Sequence, residues 1–333
     1  MKTNPRIIKE SVTIGIFGCG TRVRGLLSSK PDIRDRSAVD MIGDSDTCAG
    51  RSLVKRRVLW MAGMGLALAV VTARGGGLEY RTEMRTTPRP LQIHVLQVDL
   101  ADKTQDLAVA VGDDPDAGGP AEAQLVQPWK LAAQAHLVAA VNANAWGNLS
   151  AAPGTEAPEQ FTAGVPCDVL GWVVSEGAMR SPVDESVWSF WLDPNGQGHI
   201  ASVKESLPAR MAIAGFSGLL REGKVLPKAG GPLHPRTALG LDAAGRRLTL
   251  VVVDGRQAGF SEGMSEYELA ELLAGLGCQD ALNLDGGGSS VMLMADPEGK
   301  LQIVNRPSES SGPRSVPVMI GVRKSLKKSD DSR

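Results

Sequence analysis

Cysteine is scarce in this chain, and the four present (Cys19, Cys48, Cys167 and Cys278) form no CxxC pair and no metal-ligand spacing. Neither zinc nor another metal is expected from them, and no cofactor; whether Cys167 and Cys278 pair is open at this level. Basic residues are not in excess: the formal net charge is -1, which leaves nothing to neutralise a nucleic-acid backbone. Aromatics make up only 4%, too few for interleaved base-stacking platforms. Histidines number four and no GxSxG elbow is present, which weakens a serine hydrolase built on Ser289 or Ser290. What is abundant is glycine, at 39 residues, as suits many turns between short strands. With 42% hydrophobic and 22% charged residues, the chain of 333 can bury one large core or two modest ones.

The first quarter reads differently from the rest. A strand-like run at 11–17 leads into Gly18-Cys19-Gly20-Thr21-Arg22-Val23-Arg24-Gly25, and a second run at 39–44 ends in Asp44. Residues 12–46 resemble the opening βαβ of the Gfo/Idh/MocA-type NAD(P)-dependent oxidoreductases. There, glycines admit a pyrophosphate and an acid holds a ribose. The third glycine comes late and the further strands of such a domain do not follow. Residues 1–50 are therefore expected to be a non-functional Rossmann-like fragment or a misplaced start. Lys55-Arg56-Arg57 then precedes an uncharged apolar run at 58–72 closed by small residues. This makes 51–73 a signal peptide or signal anchor, with 74–89 a linker to an extracytoplasmic domain.

From residue 90 the pattern is that of an α+β domain. It has a mixed β-sheet core of short strands, a β-hairpin, a β-helix-β unit, and helices packed on the sheet. Residues 91–100 alternate with period 2, and 106–111 could pair with them across a turn. A helix is expected near Trp129, and a buried strand at 136–141 delivers Asn142 and Asn144 beside Trp146, residues able to bind a sugar or simply to form a turn. Strands at 237–242 and 247–253 form the hairpin, which ends in Asp254-Gly255-Arg256. Ser265 and Glu268 make a capping box for a helix with an apolar face, closed by Gly277. A last strand runs into Asn283-Leu284-Asp285-Gly286-Gly287-Gly288-Ser289-Ser290. Three glycines in a row invite close approach to the backbone, and their amides could form an anion-binding nest rimmed by the serines. Asn283 and Asp285, two apart, should share a face. The two strands flanking the helix should run parallel, so Asp254 and Asp285 should emerge at the same end. Arg236, Arg256, Arg306 and Arg314 lie in loops beside those strand ends. Residues 324–333 have the composition of a disordered tail.

Taken together, RTALG, VDGR, the run SEYELAELLAGLGCQDALNLDGGGSS, and NRP followed by GPRSVP resemble the phosphodiester glycosidase domain family over residues 90–323. The resemblance implies hydrolysis of a sugar-1-phosphodiester to free sugar and phosphomonoester. It carries over to Arg236, Thr237, Asp254, Arg256, Asp285, Gly286, Gly287, Gly288, Ser289 and Arg314. Asp285, Asp254 and Arg236 are the expected catalytic residues. Thr237, Arg256, the three glycines, Ser289, Ser290, Arg314, Asn283, Asn142 and Asn144 are the expected substrate and phosphate contacts. Many members carry Asn-Gly followed by aromatics where this chain has Asn142-Ala143-Asn144-Ala145-Trp146. Bacterial members are often linked to exopolysaccharide or envelope glycans, so a glycan or small molecule bearing a phosphodiester-linked sugar is the expected partner. No nucleic acid is expected, and a membrane only through the N-terminal segment. The alternative is a non-catalytic envelope glycan-binding module.

Overall fold

Strands in which nearly every residue is apolar have two faces to bury. Arg236–Leu241 and Arg247–Val253 are of this kind, and the fold, seen in a computed structural model that describes residues 70–75, 77–149 and 160–325, supplies a cover for each face. They sit at the centre of an eight-stranded sheet. Its order is Val70–Gly75, Leu78–Arg85, Leu91–Asp99, Arg247–Val253, Arg236–Leu241, Asp280–Asn283, Ser217–Arg221, Lys224–Val225. On one face, Leu96, Leu239, Leu250 and Leu282 meet Val141, Phe190, Ile213, Val318 and Ile320. These partners come from two five-stranded sheets, one containing Ala139–Asn142 and Val318–Lys324, the other containing Trp188–Leu192 and Met211–Gly215. On the other face, the alternate residues Ile93, Val95, Ala238, Val251 and Ala281 pack against Leu269, Ala270 and Leu273 of the helix Glu266–Gly275. A second helix, Pro128–Gln134, covers the outer face of the Ala139–Asn142 sheet through Leu131 and Ala132. The core is thus a sandwich of sheets with a helix on each outer side.

Every strand pairing among the described residues is antiparallel. Arg247–Val253 and Asp280–Asn283 nevertheless run in the same direction, because Arg236–Leu241 lies between them and opposes both. Asp254 and Asp285 therefore follow strands that end at the same edge of the sheet, as the sequence pattern indicates.

Two expectations need correction. Gln105–Val111 does not pair with Leu91–Asp99; it pairs with Val318–Lys324 in the opposite sheet. The turn between them is closed by Asp99 and Asp102, which accept from the amides of Ala101 and Thr104. Val98 and Val109 then face the same core from opposite sides. The segment 74–89, expected as a linker, contains Leu78–Arg85, a strand paired along its length with Leu91–Asp99. Its Tyr80 is buried in the main core, a contact invisible to local composition. Val70–Gly75, at the boundary of the expected export segment, pairs with Leu78–Arg85. The Rossmann-like fragment, the rest of the export segment and residues 326–333 lie outside the described residues. Among those described, no helix is long and apolar enough to cross a membrane. Cys167 and Cys278 are both free and buried, in different clusters.

The capping box forms as its spacing indicates: the Glu268 amide donates to Ser265 Oγ at 3.3 Å and the Ser265 amide to Glu268 Oε2 at 2.9 Å. Because this helix covers the sheet behind both acids, Ser265→Ala should cost about 1 kcal/mol. In calorimetry that loss should lower the melting temperature by roughly 2–4 °C.

Candidate active site

The strand Asp280–Asn283 stops at Asn283, so the period-2 rule stops there too. Asn283 turns to Glu266 on the helix side, donating from Nδ2 to Oε1 at 3.3 Å. Asp285 sits in the turn just beyond. Its amide donates to the Ala143 carbonyl at 3.0 Å, and its own carbonyl accepts from Asn142 Nδ2 at 2.6 Å. The glycines then fold into a single 3-10 turn, Gly287–Ser289. Gly287 has φ +61, a conformation that favours glycine. A Cβ at Gly288 would collide with Arg314 Nε and Glu309 Oε1. These glycines are there for conformation and close approach.

A nest of three free amides does not form. Gly286 N–H donates to Asp285 Oδ1 at 2.9 Å, and Gly287 N–H donates to the Pro235 carbonyl at 2.9 Å. The acid captures the first amide and the 234–235 backbone the second, because the turn is pressed against both. What faces a ligand is a set of side chains. Asp285 is half-buried, and its carboxyl is pushed up to about 6 by burial, against the opposing pull of Ser289, the Gly286 amide and Arg314. The exposed Arg256 guanidinium lies against Gly287, 3.5 Å from His234 Nδ1. Burial, then Arg236 and Arg256, hold the His234 imidazole below its usual range. Arg314 stacks 3.6 Å from the centre of the Phe161 ring, which meets Trp146 edge-on, and donates from Nη2 to Glu309 Oε1 at 2.9 Å. Arg314 Nε and Ser290 Oγ are buried without a hydrogen-bond partner beside this turn, the condition in which a substrate oxygen would be welcome.

Other expected contacts are absorbed into the scaffold. Asn142 Oδ1 accepts from Thr237 Oγ1 at 2.8 Å and from the Val291 amide at 3.1 Å. Asn144 faces away, bonded to the Leu170 carbonyl and the Ala214 amide. Arg236 spends its guanidinium on the carbonyls of Pro232 and Met264 and on Glu266. Asp254 is 1% exposed; Oδ1 accepts from Asn305 Nδ2 at 2.9 Å and from the Arg306 amide at 3.0 Å. His94 Nε2 lies 3.4 Å from its Oδ2. Ser289 hydrogen-bonds to Asp285, and among the described residues neither Ser289 nor Ser290 has a histidine partner. Glu309, Phe161 and Tyr80 carry no motif that sequence reasoning would select, and His94 was covered only as part of the alternating run 91–100.

Comparison with known proteins gives the family and the fold. The family model described as phosphodiester glycosidase matches residues 135–323. The catalytic domain of zebrafish N-acetylglucosamine-1-phosphodiester alpha-N-acetylglucosaminidase, auto-inhibited by its pro-peptide, superposes with a TM-score of 0.55. It is 21% identical over 78% of this chain and 88% of its own. A hypothetical protein from Synechocystis gives a TM-score of 0.52 at 13% identity, covering 77% of this chain and 68% of its own. At these identities the likeness is one of fold. No curated protein matches the chain by sequence.

The Asp285 carboxyl has a consequence for stability. Its folded value, about 6, lies above the ordinary 3.8, so folding favours the neutral acid. The stability this provides is complete below pH 3.8 and is lost as pH rises through 6. Asp285→Asn keeps an acceptor for the Gly286 amide and removes the charge. At pH 7.5 it should melt higher than wild type, by on the order of 1–2 kcal/mol, and the advantage should vanish at pH 4.

Proposed function

This chain belongs to the phosphodiester glycosidase family, and we propose that it hydrolyses a sugar-1-phosphodiester at the anomeric carbon with Asp285 as its reacting carboxylate. A domain of this family is a hydrolase acting on phosphodiester-linked sugars. In the proposed reaction the bond between C1 and the phosphate oxygen breaks, and its electrons leave with the phosphomonoester. The oxygen of water ends on C1. A phosphate leaving group needs little help from a general acid. One half-buried carboxylate among arginines is then sufficient equipment, and that single arrangement carries the reading.

Arg256 and Arg314 stand on either side of the glycine turn, where their guanidinia would hold the phosphodiester oxygens and stabilise charge as the bond breaks. Asp285, ionised, would stabilise the oxocarbenium-like sugar, and acts either on water or on C1 itself. Phe161 lies against Arg314 and Trp146 against Phe161, an apolar wall for a sugar ring. Asp254, enclosed on all sides, is assigned here to support. The basic Lys55-Arg56-Arg57 and the apolar run after it support export to the envelope, where glycans carrying phosphodiester-linked sugars are substrates of the right chemistry.

The test is incubation with a panel of sugar-1-phosphodiesters, with free sugar and phosphomonoester followed by mass spectrometry. The wild type should release both. Its rate should rise with pH through about 6 as Asp285 ionises. Asp285→Asn should lose about 100-fold or more in kcat, and Arg256→Ala should raise KM about tenfold. The anomer of the first-formed sugar, read by NMR, distinguishes attack by Asp285 from attack by water. Tight binding of the panel without turnover would make the domain a glycan-binding module instead.

A further inference from the structure

A buried carboxylate with no guanidinium or ammonium on it is costly unless other groups satisfy it. Among the described residues Asp254 is such a group; Asn305 Nδ2 and the Arg306 amide satisfy it, and a line of buried side chains leads up to it from the other side. At one end is Tyr80 in the strand Leu78–Arg85; next is His94 in Leu91–Asp99; Asp254 follows Arg247–Val253. The three strands are adjacent, and the three side chains are 6%, 3% and 1% exposed. Tyr80 Oη lies 2.9 Å from His94 Nδ1. Burial and then the charge of Asp254 push the phenol up to about 12, so it keeps its proton in this contact. On the far side of the ring Nε2 is buried with no hydrogen-bond partner among the described residues and faces Asp254 Oδ2 at 3.4 Å.

Beyond Asp254 the chain divides. The Arg306 amide donates to both carboxylate oxygens, at 3.0 and 3.1 Å. Asn305 Nδ2 donates to Oδ1 at 2.9 Å and also to the Ser290 carbonyl at 3.1 Å. Asn305 Oδ1 accepts from the Met292 amide at 2.8 Å. One buried anion therefore holds both the Asn305-Arg306 turn and the end of the glycine turn. The Arg306 side chain leaves that turn exposed, 4.9 Å from the centre of the Phe260 ring.

We propose that Tyr80 and His94 are positioning residues, which act through Asp254 to set the Arg306 turn so that its guanidinium binds the anionic phosphate side of the substrate. This rests on the phosphodiester glycosidase reading above. Arg306 contributes a cation to binding, and the Tyr80–His94 pair contributes only through it.

Tyr80→Phe deletes one hydroxyl and keeps the buried ring, so it is the variant to use, with Arg306→Gln and the double variant beside it. In the sugar-1-phosphodiester assay Arg306→Gln should raise KM about tenfold with kcat little changed, and Tyr80→Phe should raise KM less, in the same direction. The double variant should match Arg306→Gln alone, because the hydroxyl has nothing left to position. Multiplication of the two KM effects would overturn the proposal. So would a Tyr80→Phe variant with an unchanged KM. Hydrogen exchange at the Arg306 amide reads the same chain without turnover: it should be protected in the wild type and exchange about tenfold faster in Tyr80→Phe. A wild type that releases no sugar would refute the functional reading, whereas equal Arg306 exchange in both proteins would refute the relay itself.

Discussion

The end of this molecule that carries the glycine turn depends on one neutral amide. Asn142 lies in the strand Ala139–Asn142, while two of its partners, Thr237 and Asp285, belong to the eight-stranded sheet and its following turn, and the third is the amide of Val291. Two sheets that meet largely through interchangeable apolar contacts are thereby given a single register, to which the Asp285 amide on the Ala143 carbonyl adds. A hydrophobic seam tolerates sliding; three hydrogen bonds to one buried side chain do not, since each abandoned partner would remain desolvated. Position of the Asp285 backbone is the direct result. Asn144, two residues on, performs the same service toward Leu170 and Ala214.

This division of labour explains why the sequence was readable at some levels and misleading at others. Periodicity and capping residues are local, and they located the hairpin, the capped helix and the strand entering the glycine turn. The same-end emergence of Asp254 and Asp285 came from chain direction alone. The strand Leu78–Arg85 was missed because its evidence is a distant pairing: the run LEYRTEMR has polar residues enough for a linker until it is laid beside Leu91–Asp99. The site residues show a similar split. Which residue types gather near the turn could be read from motifs, but whether an asparagine or arginine meets the substrate or the scaffold depends on which backbone carbonyls lie within reach. Arg236 and Arg256 look equivalent in sequence, yet Met264 and Pro232 occupy one and leave the other exposed.

The two acids are separated in the same way, by the backbone immediately after each one. Next to Asp254 is Gly255, whose missing side chain lets the 234–235 backbone close over it: a Cβ there would stand 2.5 Å from Pro235 N. Asn305 and the Arg306 amide complete the enclosure. Next to Asp285 is a turn that returns one amide to the carboxyl, from Gly286. One acid is given donors and no opening; the other is given donors and an opening. Burial of both is expensive, and the remedies differ. Asp254 is compensated by hydrogen bonds, while Asp285 is held partly protonated near pH 6, a strain that the rest of the fold must carry.

That strain is the ground on which Asp285, rather than Asp254, is proposed as the acid that does chemistry. A carboxylate fully satisfied by amides has its lone pairs committed and its solvation replaced, so neither proton transfer nor attack on carbon is open to it without breaking the turn it supports. A carboxylate whose charge is poorly compensated gains from any positive character that develops beside it. An oxocarbenium-like sugar offers that character only as the C1–O bond breaks. The compensation missing in the resting protein is thus supplied in the transition state, which is the condition for an interaction to accelerate a reaction rather than merely tighten binding. Arg314, stacked on Phe161 and held by Glu309, lowers the cost of that charge without cancelling it. The half-satisfied state of Asp285 is therefore the feature that a catalytic site of this kind requires, and the saturated state of Asp254 is what allows it to hold the surrounding turns in place.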